Sequence, residues 1–326
     1  MFSYKNWWEI PPLDLDKDWE IPLNKDVLQQ TLFGYLEPSE AKTLAKASTP
    51  FFSTCKRQLV VLKLLRYVAC GDQLNAEYML KKDKSLLLCK GHMTDYSNRT
   101  FYNITAFQYA LWALDRHMWD MLLRYMPHDK ALLQLEEFES SHGVEYRKST
   151  SQIIREKHFD FKILLKALKE FASMINVNPI EKRKTHWCTV VGNAQRNVPA
   201  HVANEYCQPG REQSYPMPNQ YKEKSLERVL GFYHFNTKSQ CFWFDKGLGV
   251  DFALSHYLSQ NGRWFCGGGS PPYLDLPSSN KIKDDVRCLY KLSRVRMQEF
   301  VTLKRRLRMP VEEVVHKYSG MGCHLK

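Results

Sequence analysis

Apolar residues recur at helical spacing in several separate parts of this chain. Between residues 59 and 69 they lie on one face, and after a break at Gly71-Asp72 a second apolar face runs from Leu74 to Leu80. Residues three and four apart share one side of a helix, so the pattern predicts two consecutive amphipathic helices. Gly71 marks the boundary between them because glycine weakens a helix.

The same arrangement returns in residues 104–123. One helix is predicted around Phe107 and Leu111, a polar break at Asp115-Arg116-His117, and a second helix after that break. The two helix pairs are separated by roughly forty residues, a period at which helical solenoids occur. The pattern therefore favours stacked helix pairs, with a plain helical bundle as the alternative.

The rest of the chain divides into regions that differ in hydrophobic spacing and composition. Residues 129–180 keep helical spacing, and within them residues 151–175 predict one amphipathic helix with lysines opposite its apolar face. The basic run 181–184 predicts a loop or linker. From residue 185 the chain is aromatic and rich in Gly and Pro, which indicates short and irregular elements. Residues 281–309 predict one or two closing helices with a basic face.

These patterns together predict a mainly α-helical protein in three parts. An N-terminal arm with a helical hairpin occupies residues 1–58, helix pairs occupy residues 59–180, and a mixed α and irregular module of unknown activity occupies residues 181–326. A chain of 326 residues exceeds the usual size of one domain, which agrees with several modules.

Residues 21–56 form the predicted hairpin, and its apolar surface is too large for two short helices to bury alone. Apolar residues from Val27 to Leu36 share one broad helical face, and Glu37-Pro38-Ser39-Glu40 separates them from a second helix that ends at Pro50. An ordinary hairpin packed on the rest of the domain is one interpretation. The alternative is a docking element that buries this surface against a partner.

This hairpin resembles an F-box, the motif with which substrate receptors bind the Skp adaptor of cullin–RING ubiquitin ligases. The resemblance lies in the entry Ile21-Pro22-Leu23, in Val27-Leu28, in the run Leu32-Phe33-Gly34-Tyr35-Leu36, and in Leu44, Ala47 and Phe51 of the second helix. It implies a Skp-binding face. The residues expected on that face are Pro22, Leu23, Val27, Leu28, Leu32, Tyr35, Leu36 and Leu44.

The second helix pair resembles an ankyrin repeat. Thr105-Ala106-Phe107-Gln108-Tyr109-Ala110 is similar to the T-P-L-H-x-A motif, and Leu122-Leu123 to the closing L-L. The first pair has only the elements Ala69, Gly71-Asp72 and Met79-Leu80. The resemblance implies a helical scaffold that binds other proteins.

Composition limits the environment and the partners. At 44% hydrophobic the chain should fold, and its formal charge of +12 favours acidic partners without specifying one. The start of the chain has no apolar segment of a signal peptide, and no apolar run is long enough to span a membrane. Nine cysteines without a framework spacing indicate reduced thiols in a cytosolic setting. No nucleic-acid-binding motif accompanies the basic residues, so nucleic acid is not an expected partner.

Polar residues that could support chemistry concentrate in residues 185–275. A thiol nucleophile served by histidine is compositionally possible there, while the His and Cys spacings match no common zinc framework. The glycine runs do not match a phosphate-binding loop, because they lack the Lys residue and the following helix that such a loop requires. We therefore expect no cofactor and no metal. The catalytic candidates are His186, Cys188, His201, Glu205 and Cys207.

The combination resembles the translocated effectors of Legionella-type intracellular bacteria, several of which carry F-box and ankyrin modules. This resemblance implies type IV secretion without a cleaved signal peptide and action in the host cytoplasm. The function it implies is an adaptor that binds Skp and presents a host protein, more a ligase adaptor than an enzyme. The alternatives are an enzyme with its site in residues 185–275 and a ligase-independent ankyrin-like scaffold.

Overall fold

The computed structural model describes three long stretches of the chain and several short ones. The long stretches are residues 49–148, 152–206 and 276–309. The short ones are residues 221, 228, 230–234, 239–244, 246–258 and 264–267. Residues 21–48 of the predicted hairpin lie outside the described residues, and so do all its predicted partner-binding side chains from Pro22 to Leu44.

Two stacked helix pairs open the described fold. Helices α1 (Thr49–Ala69) and α2 (Gln73–Lys82) form the first pair, and helices α3 (Ala106–Ala113) and α4 (Arg116–Leu123) form the second. Helix α1 packs on α3 and helix α2 on α4. Pro50 lies in the first turn of α1, where a missing N–H breaks no hydrogen bond.

Side-chain caps fix where these helices begin. The Asp72 carboxylate accepts a hydrogen bond from a backbone N–H at the start of α2. Thr105 and Gln108 form a reciprocal capping box at the start of α3. Asp115 caps α4 by accepting from the N–H of Met118. Each cap satisfies a backbone donor that has no partner within its helix.

A four-stranded antiparallel sheet lies beside the helix pairs. Its strands, in spatial order, are β1 (Gly91–Thr94), β2 (Arg99–Ile104), β3 (Val144–Lys148) and β4 (Ile153–Glu156). Helix α5 (His128–Ser140) precedes β3. The prediction of continuous helix over 129–180, and of one helix over 151–175, is therefore wrong. Ile153 is 56% exposed on β4, so its side chain is not part of a buried helical face.

The C-terminal part begins with a series of helices. They are α6 (Lys162–Met174), α7 (Ile180–His186), α8 (Gly192–Arg196) and α9 (Ala200–Tyr206). Residues Trp187–Val191 form a π-helical turn between α7 and α8. The basic run 181–184 lies within α7, so the loop predicted there is wrong. No residue of α7 is buried, which explains why its sequence has no apolar face.

A second sheet and one long helix complete the described chain. The strands are β5 (Gly231–His234), β6 (Ser239–Phe242), β7 (Ala253–Leu258) and β8 (Trp264–Gly267), in the order β6-β5-β8-β7. Strands β5 and β8 run parallel, and the other two pairings are antiparallel. The aromatic, Gly- and Pro-rich composition of this region predicted irregular structure, and the sheet was not predicted. The closing helix is confirmed as a single helix, α10 (Ser279–Arg308).

The core is continuous through both parts. Four fully buried tryptophans, Trp112, Trp119, Trp187 and Trp243, come from α3, α4, the π-helical turn and the segment before β7. Helix α10 packs on α5, α6 and β7, and so closes the core over these helices and the second sheet. The prediction of a mainly helical fold is confirmed, with two small sheets added to it.

Candidate functional site

The structure divides the predicted catalytic residues between two places. His186 and Cys188 lie where α7 meets the π-helical turn, and His201 and Glu205 lie on α9. Cys207 lies outside the described residues. The two places differ in chemistry. The first is a packing site, and the second belongs to a buried group of charged side chains.

Cys188 is buried with its thiol directed at backbone. Its Sγ donates to the carbonyl oxygen of Asp251 over 3.3 Å. Burial raises the pKa of the Cys188 thiol to about 11, so the thiol is protonated at neutral pH. Since the thiolate is the nucleophilic form, this cysteine is not activated for attack. The ring of His186, two residues before Cys188, stacks on Phe171 with a centroid separation of 6.4 Å.

The π-helical turn leads into a close backbone contact. A Cβ atom on Gly192 would lie 2.7 Å from the carbonyl oxygen of Phe252 and 2.8 Å from the backbone of Gly249. One turn later, the buried Gln195 side chain accepts from the N–H of Leu254 and donates to its carbonyl oxygen. These residues bind α8 to strand β7, which gives the segment a packing role.

His201 is buried beside the turn between α3 and α4. Its Nε2 is hydrogen bonded to the carbonyl oxygen of Ala113. Burial lowers the pKa of His201 to about 4, with the nearby carboxylate of Asp115 acting in the opposite direction. The imidazole is therefore neutral at pH 7, and Nε2 carries the proton because a carbonyl oxygen can only accept.

Asp115 and Arg228 form a bidentate ion pair beside His201. Arg228 donates from Nη1 and Nη2 to the two carboxylate oxygens over 3.0 and 3.1 Å. Burial opposes the charge of Asp115, but the Arg228 guanidinium outweighs it and holds the pKa of that carboxyl well below its usual range. Gly71 makes room for the pair, because a Cβ there would lie 2.8 Å from Nη1 of Arg228.

A second chain of charges joins α9, α10 and α4. Arg296 donates from Nη2 to Glu205 and from Nη1 to Glu299, the latter over 2.7 Å. Glu299 also accepts from Nη1 of Arg116 over 2.9 Å. Nη1 of Arg296 also donates to the backbone carbonyl oxygen of Tyr221, over 3.1 Å. Cation and anion therefore alternate along this series of ion pairs, which runs from Arg116 through Glu299 and Arg296 to Glu205.

We call these side chains the ionic cluster. Its members are Asp115, Arg116, His201, Glu205, Arg228, Arg296 and Glu299. Three guanidinium groups face three carboxylates around one neutral imidazole, so the formal charges cancel. Buried charges persist only when they are paired and hydrogen bonded, and these are. The cluster is arranged to hold helices together, and its carboxylates are already engaged by arginines.

Sequence reasoning identified His201 and Glu205 but missed their charged partners. One signal was available for Arg296, which lies among the buried residues Leu292 and Phe300 at helical spacing and is fully buried itself. An arginine at an apolar position of a helix is a sign of a buried ion pair. The sequence pattern places Asp115 in a polar break, and the structure shows that it is the N-cap of α4.

Among the residues that the structure describes, no group of three or more His, Cys, Asp or Glu side chains is placed to hold a metal ion. Within the same part of the chain, no helix has the length and apolarity needed to cross a bilayer.

Comparison with known proteins identifies the relatives of this chain. The uncharacterized protein CBUA0006 of Coxiella burnetii (strain RSA 493 / Nine Mile phase I) is 33% identical over an alignment of 278 residues. The match covers 76% of this chain and 76% of that protein. This chain belongs to the CBUA0006 family. The CBUA0006 C-terminal domain matches residues 163–307. No solved structure matches the chain.

The limits of the CBUA0006 C-terminal domain coincide with structural boundaries. The match begins at the second residue of α6 and ends one residue before the end of α10. The matched domain therefore starts inside residues 59–180, the range predicted to contain the helix pairs. Asp115 and Arg116 lie before this domain, and the other members of the ionic cluster lie within it. The ionic cluster therefore connects the stacked helix pairs to the CBUA0006 C-terminal domain.

Proposed function

We propose that this member of the CBUA0006 family is a bacterial effector that acts as an adaptor. In this proposal residues 21–56 bind the Skp subunit of a host cullin–RING ubiquitin ligase, and the rest of the chain binds a host target protein. The observation that carries the proposal is the F-box-like pattern of residues 21–56.

The connection of this segment to the body supports the proposal. Residues 49–56 belong to helix α1, which continues without a break to Ala69. Its later turns are anchored in the core by Leu64, Leu65 and Val68, each at most 2% exposed. A continuous helix that is anchored in the core fixes the distance and orientation between two parts better than a flexible linker does. A partner bound next to α1 would thus be coupled to the target-binding body.

The state of the candidate catalytic residues also favours an adaptor over an enzyme. Glu205 is paired with Arg296, His201 is hydrogen bonded to backbone, and the Cys188 thiol has a raised pKa. A general base needs a free lone pair near its substrate, and a nucleophilic cysteine needs a lowered pKa. Using these groups in catalysis would require breaking contacts that stabilise the fold.

The stacked helix pairs support a protein-binding role for the body, and they are the basis of our second candidate, a ligase-independent scaffold of the ankyrin-like kind. On the outer helix α2, Leu74 is 82% exposed and Tyr78 is 57% exposed. Exposed apolar side chains that neighbour one another across a helical turn are typical of a binding surface.

The source of the relative supports the proposed setting. Coxiella burnetii is an intracellular bacterium, and the sequence of this chain resembles the translocated effectors of such bacteria. We accordingly propose type IV secretion and a site of action in the host cytoplasm. A reporter fusion measured in host cells infected with secretion-competent and secretion-deficient bacteria tests this part of the proposal.

Capture of Skp by the purified full chain tests the adaptor function. We expect the unmodified chain to retain Skp on a column, and the double variant Pro22→Ala with Leu23→Ala to lose most of it. Pro22 presets the entry of the motif, and Leu23 supplies apolar contact. The matched control is Leu74→Ala with Leu133→Ala, which removes exposed leucines outside the motif and should leave capture unchanged.

Two results would overturn the adaptor function. One is the absence of Skp capture by the unmodified chain at micromolar concentrations. The other is equal loss of capture in the motif variant and in the control variant, because capture would then depend on general apolar contact. Circular dichroism of each variant establishes that folding is intact. Absence of capture combined with binding of another host protein would favour the scaffold candidate.

A further inference from the structure

Helix α10 has an exposed stripe that combines apolar and basic residues. We call it the α10 stripe, and its members are Tyr290, Arg294, Met297, Val301, Arg305 and Arg308. They follow one another at steps of three and four residues, so they lie in one line along the helix. The opposite face, which includes Leu292, Phe300 and Leu303, is buried in the core. The stripe is thus held rigidly on the surface.

The apolar members of the α10 stripe are open to solvent. Tyr290 is 56% exposed, Met297 is 37% exposed and Val301 is 50% exposed. From the first to the last they extend over about 16 Å, at 1.5 Å of rise per residue. An aligned group of apolar side chains of this kind marks a contact surface more often than a scattered one does.

The charge of the α10 stripe is of one sign. Its arginines Arg294 and Arg305 are exposed and form no ion pair among the described residues, whereas Arg308 pairs with Glu139. The only acidic residue between positions 290 and 308 is Glu299. Glu299 is turned inward and is bound by Arg116 and Arg296. A partner therefore meets positive charge on both sides of the apolar residues.

We propose that the α10 stripe binds an acidic amphipathic helix of a partner protein. Such a helix places its own apolar residues against Met297 and Val301 and its carboxylates against Arg294 and Arg305. The shape of the stripe favours a helix, because polar residues flank its apolar band on both sides and leave it one residue wide. Gln298 and Thr302 follow one side of the band, and Ser293 and Lys304 follow the other. A bilayer needs a broader apolar face. The inference does not depend on the proposed binding of Skp.

A synthetic helix tests the proposal with the full chain. The probe is a fluorescein-labelled heptad peptide with Leu at positions a and d and Glu at positions e and g. Its binding is followed by fluorescence anisotropy. A scrambled peptide of identical composition serves as the peptide control. We expect saturable binding of the heptad peptide and much weaker binding of the scrambled one, because only the ordered sequence forms an amphipathic helix.

Paired variants identify the surface. Met297→Ser with Val301→Ser, and separately Arg294→Glu with Arg305→Glu, should each raise the Kd for the heptad peptide by about tenfold or more. The matched control is Lys81→Glu with Lys84→Glu, which makes the same change of charge at two exposed lysines of α2 and the turn after it. That control should change the Kd less than twofold. All the altered side chains are exposed, so the fold should be retained.

Each opposite result overturns the proposal. Absence of saturable peptide binding rejects it, and so does equal binding of the scrambled peptide. An equal effect of the two charge variants would assign binding to the general positive field of the protein. Vesicles of phosphatidylcholine with and without phosphatidylserine, and a labelled DNA duplex, are titrated in parallel. If the stripe variants reduce binding to either of these but not to the peptide, the surface recognises a membrane or a nucleic acid.

Discussion

Arg296 of helix α10 donates a hydrogen bond to Glu205 of helix α9, and side-chain exposure is 0% for the arginine and 1% for the glutamate. The two residues lie 91 positions apart in the chain. The pair joins the last described helix to the series of helices that follows α6. Because water cannot replace either partner, each charge depends on the other for its stability.

Removing the charge of Arg296 should destabilise the protein strongly. Arg296→Met keeps most of the side-chain volume but leaves Glu205 and Glu299 without their shared cation. A buried charge that loses its partner typically costs about 3–5 kcal/mol. We expect a loss of that size in the free energy of unfolding, measured by urea denaturation at pH 7.

Two further variants make this test specific. Glu205→Gln in the Arg296→Met background should recover part of the loss, because it removes the unpaired charge. Arg294→Met, two residues earlier and exposed, should change the unfolding free energy by no more than about 0.5 kcal/mol. A loss of stability in Arg294→Met as large as in Arg296→Met would contradict the account of the buried pair.

The buried histidines should make the fold sensitive to acid. Burial lowers the pKa of both His201 and His158 from 6.5 to about 4. Between those values the unfolded chain binds more protons than the folded one, so stability rises with pH. The contribution is complete above pH 6.5 and is lost as the pH falls towards 4. Urea denaturation at a series of pH values should show this slope.

Amide substitutions should flatten the acid sensitivity. His201→Gln can keep a donor near the Ala113 carbonyl oxygen, and His158→Asn can keep a polar contact to Leu111, which Nδ1 of His158 makes over 3.3 Å. Neither amide titrates in this range. The double variant should lose less stability than the unmodified chain between pH 6.5 and 4. An identical slope in both proteins would assign the acid sensitivity to other groups.

Gly192→Ala should destabilise the protein, although alanine usually stabilises a helix relative to glycine. The added Cβ would lie 2.7 Å from the carbonyl oxygen of Phe252, which is closer than such atoms approach. Overpacking of this kind costs about 1–3 kcal/mol. Thermal denaturation should show a lower Tm, and a raised Tm would mean that the backbones of α8 and the segment before β7 separate easily.

The thiols of Cys188 and Cys288 should react slowly in the folded protein. Burial raises their pKa values to about 11 and about 12, so little thiolate is present at pH 7.5. Alkylation by iodoacetamide, followed by mass spectrometry of peptides, should be slower at both cysteines than in the same protein in urea. Rapid, selective alkylation of Cys188 in the folded chain would instead support the enzyme alternative.

The long helices could be predicted from the sequence, whereas the sheets could not. Helices α1 to α4 and α10 have apolar residues at helical spacing over two or more turns, which is the strongest signal a single sequence carries. Strands of four to six residues show at most three side chains on each face. In residues 151–175, the apolar residues of the short strand β4 and of helix α6 happen to follow helical spacing, so the pattern predicted one helix.

The pairing of the buried charges could not be predicted from the sequence for a different reason. Asp115 and Arg228 are 113 residues apart, and no local pattern links them. The residue types were visible, but the partners depend on how helices pack. Glu205 stood out as a polar residue in a candidate region, and its pairing with Arg296 gives it a structural role there. The sequence shows which positions carry charged side chains, but it does not show which partners those side chains contact.

Ubiquitylation of the host target in cell extract tests the adaptor function most directly. The full chain is added with the reconstituted ligase, and modified target is quantified for the unmodified chain, for Leu32→Asp, and for His186→Ala with Cys188→Ala. We expect Leu32→Asp to abolish the effect, because a charge would enter an apolar interface at a cost of several kcal/mol. We expect the His186 and Cys188 variant to keep full activity. Full activity of Leu32→Asp, with loss of activity in the His186 and Cys188 variant, would contradict the adaptor function and identify the chain as an enzyme.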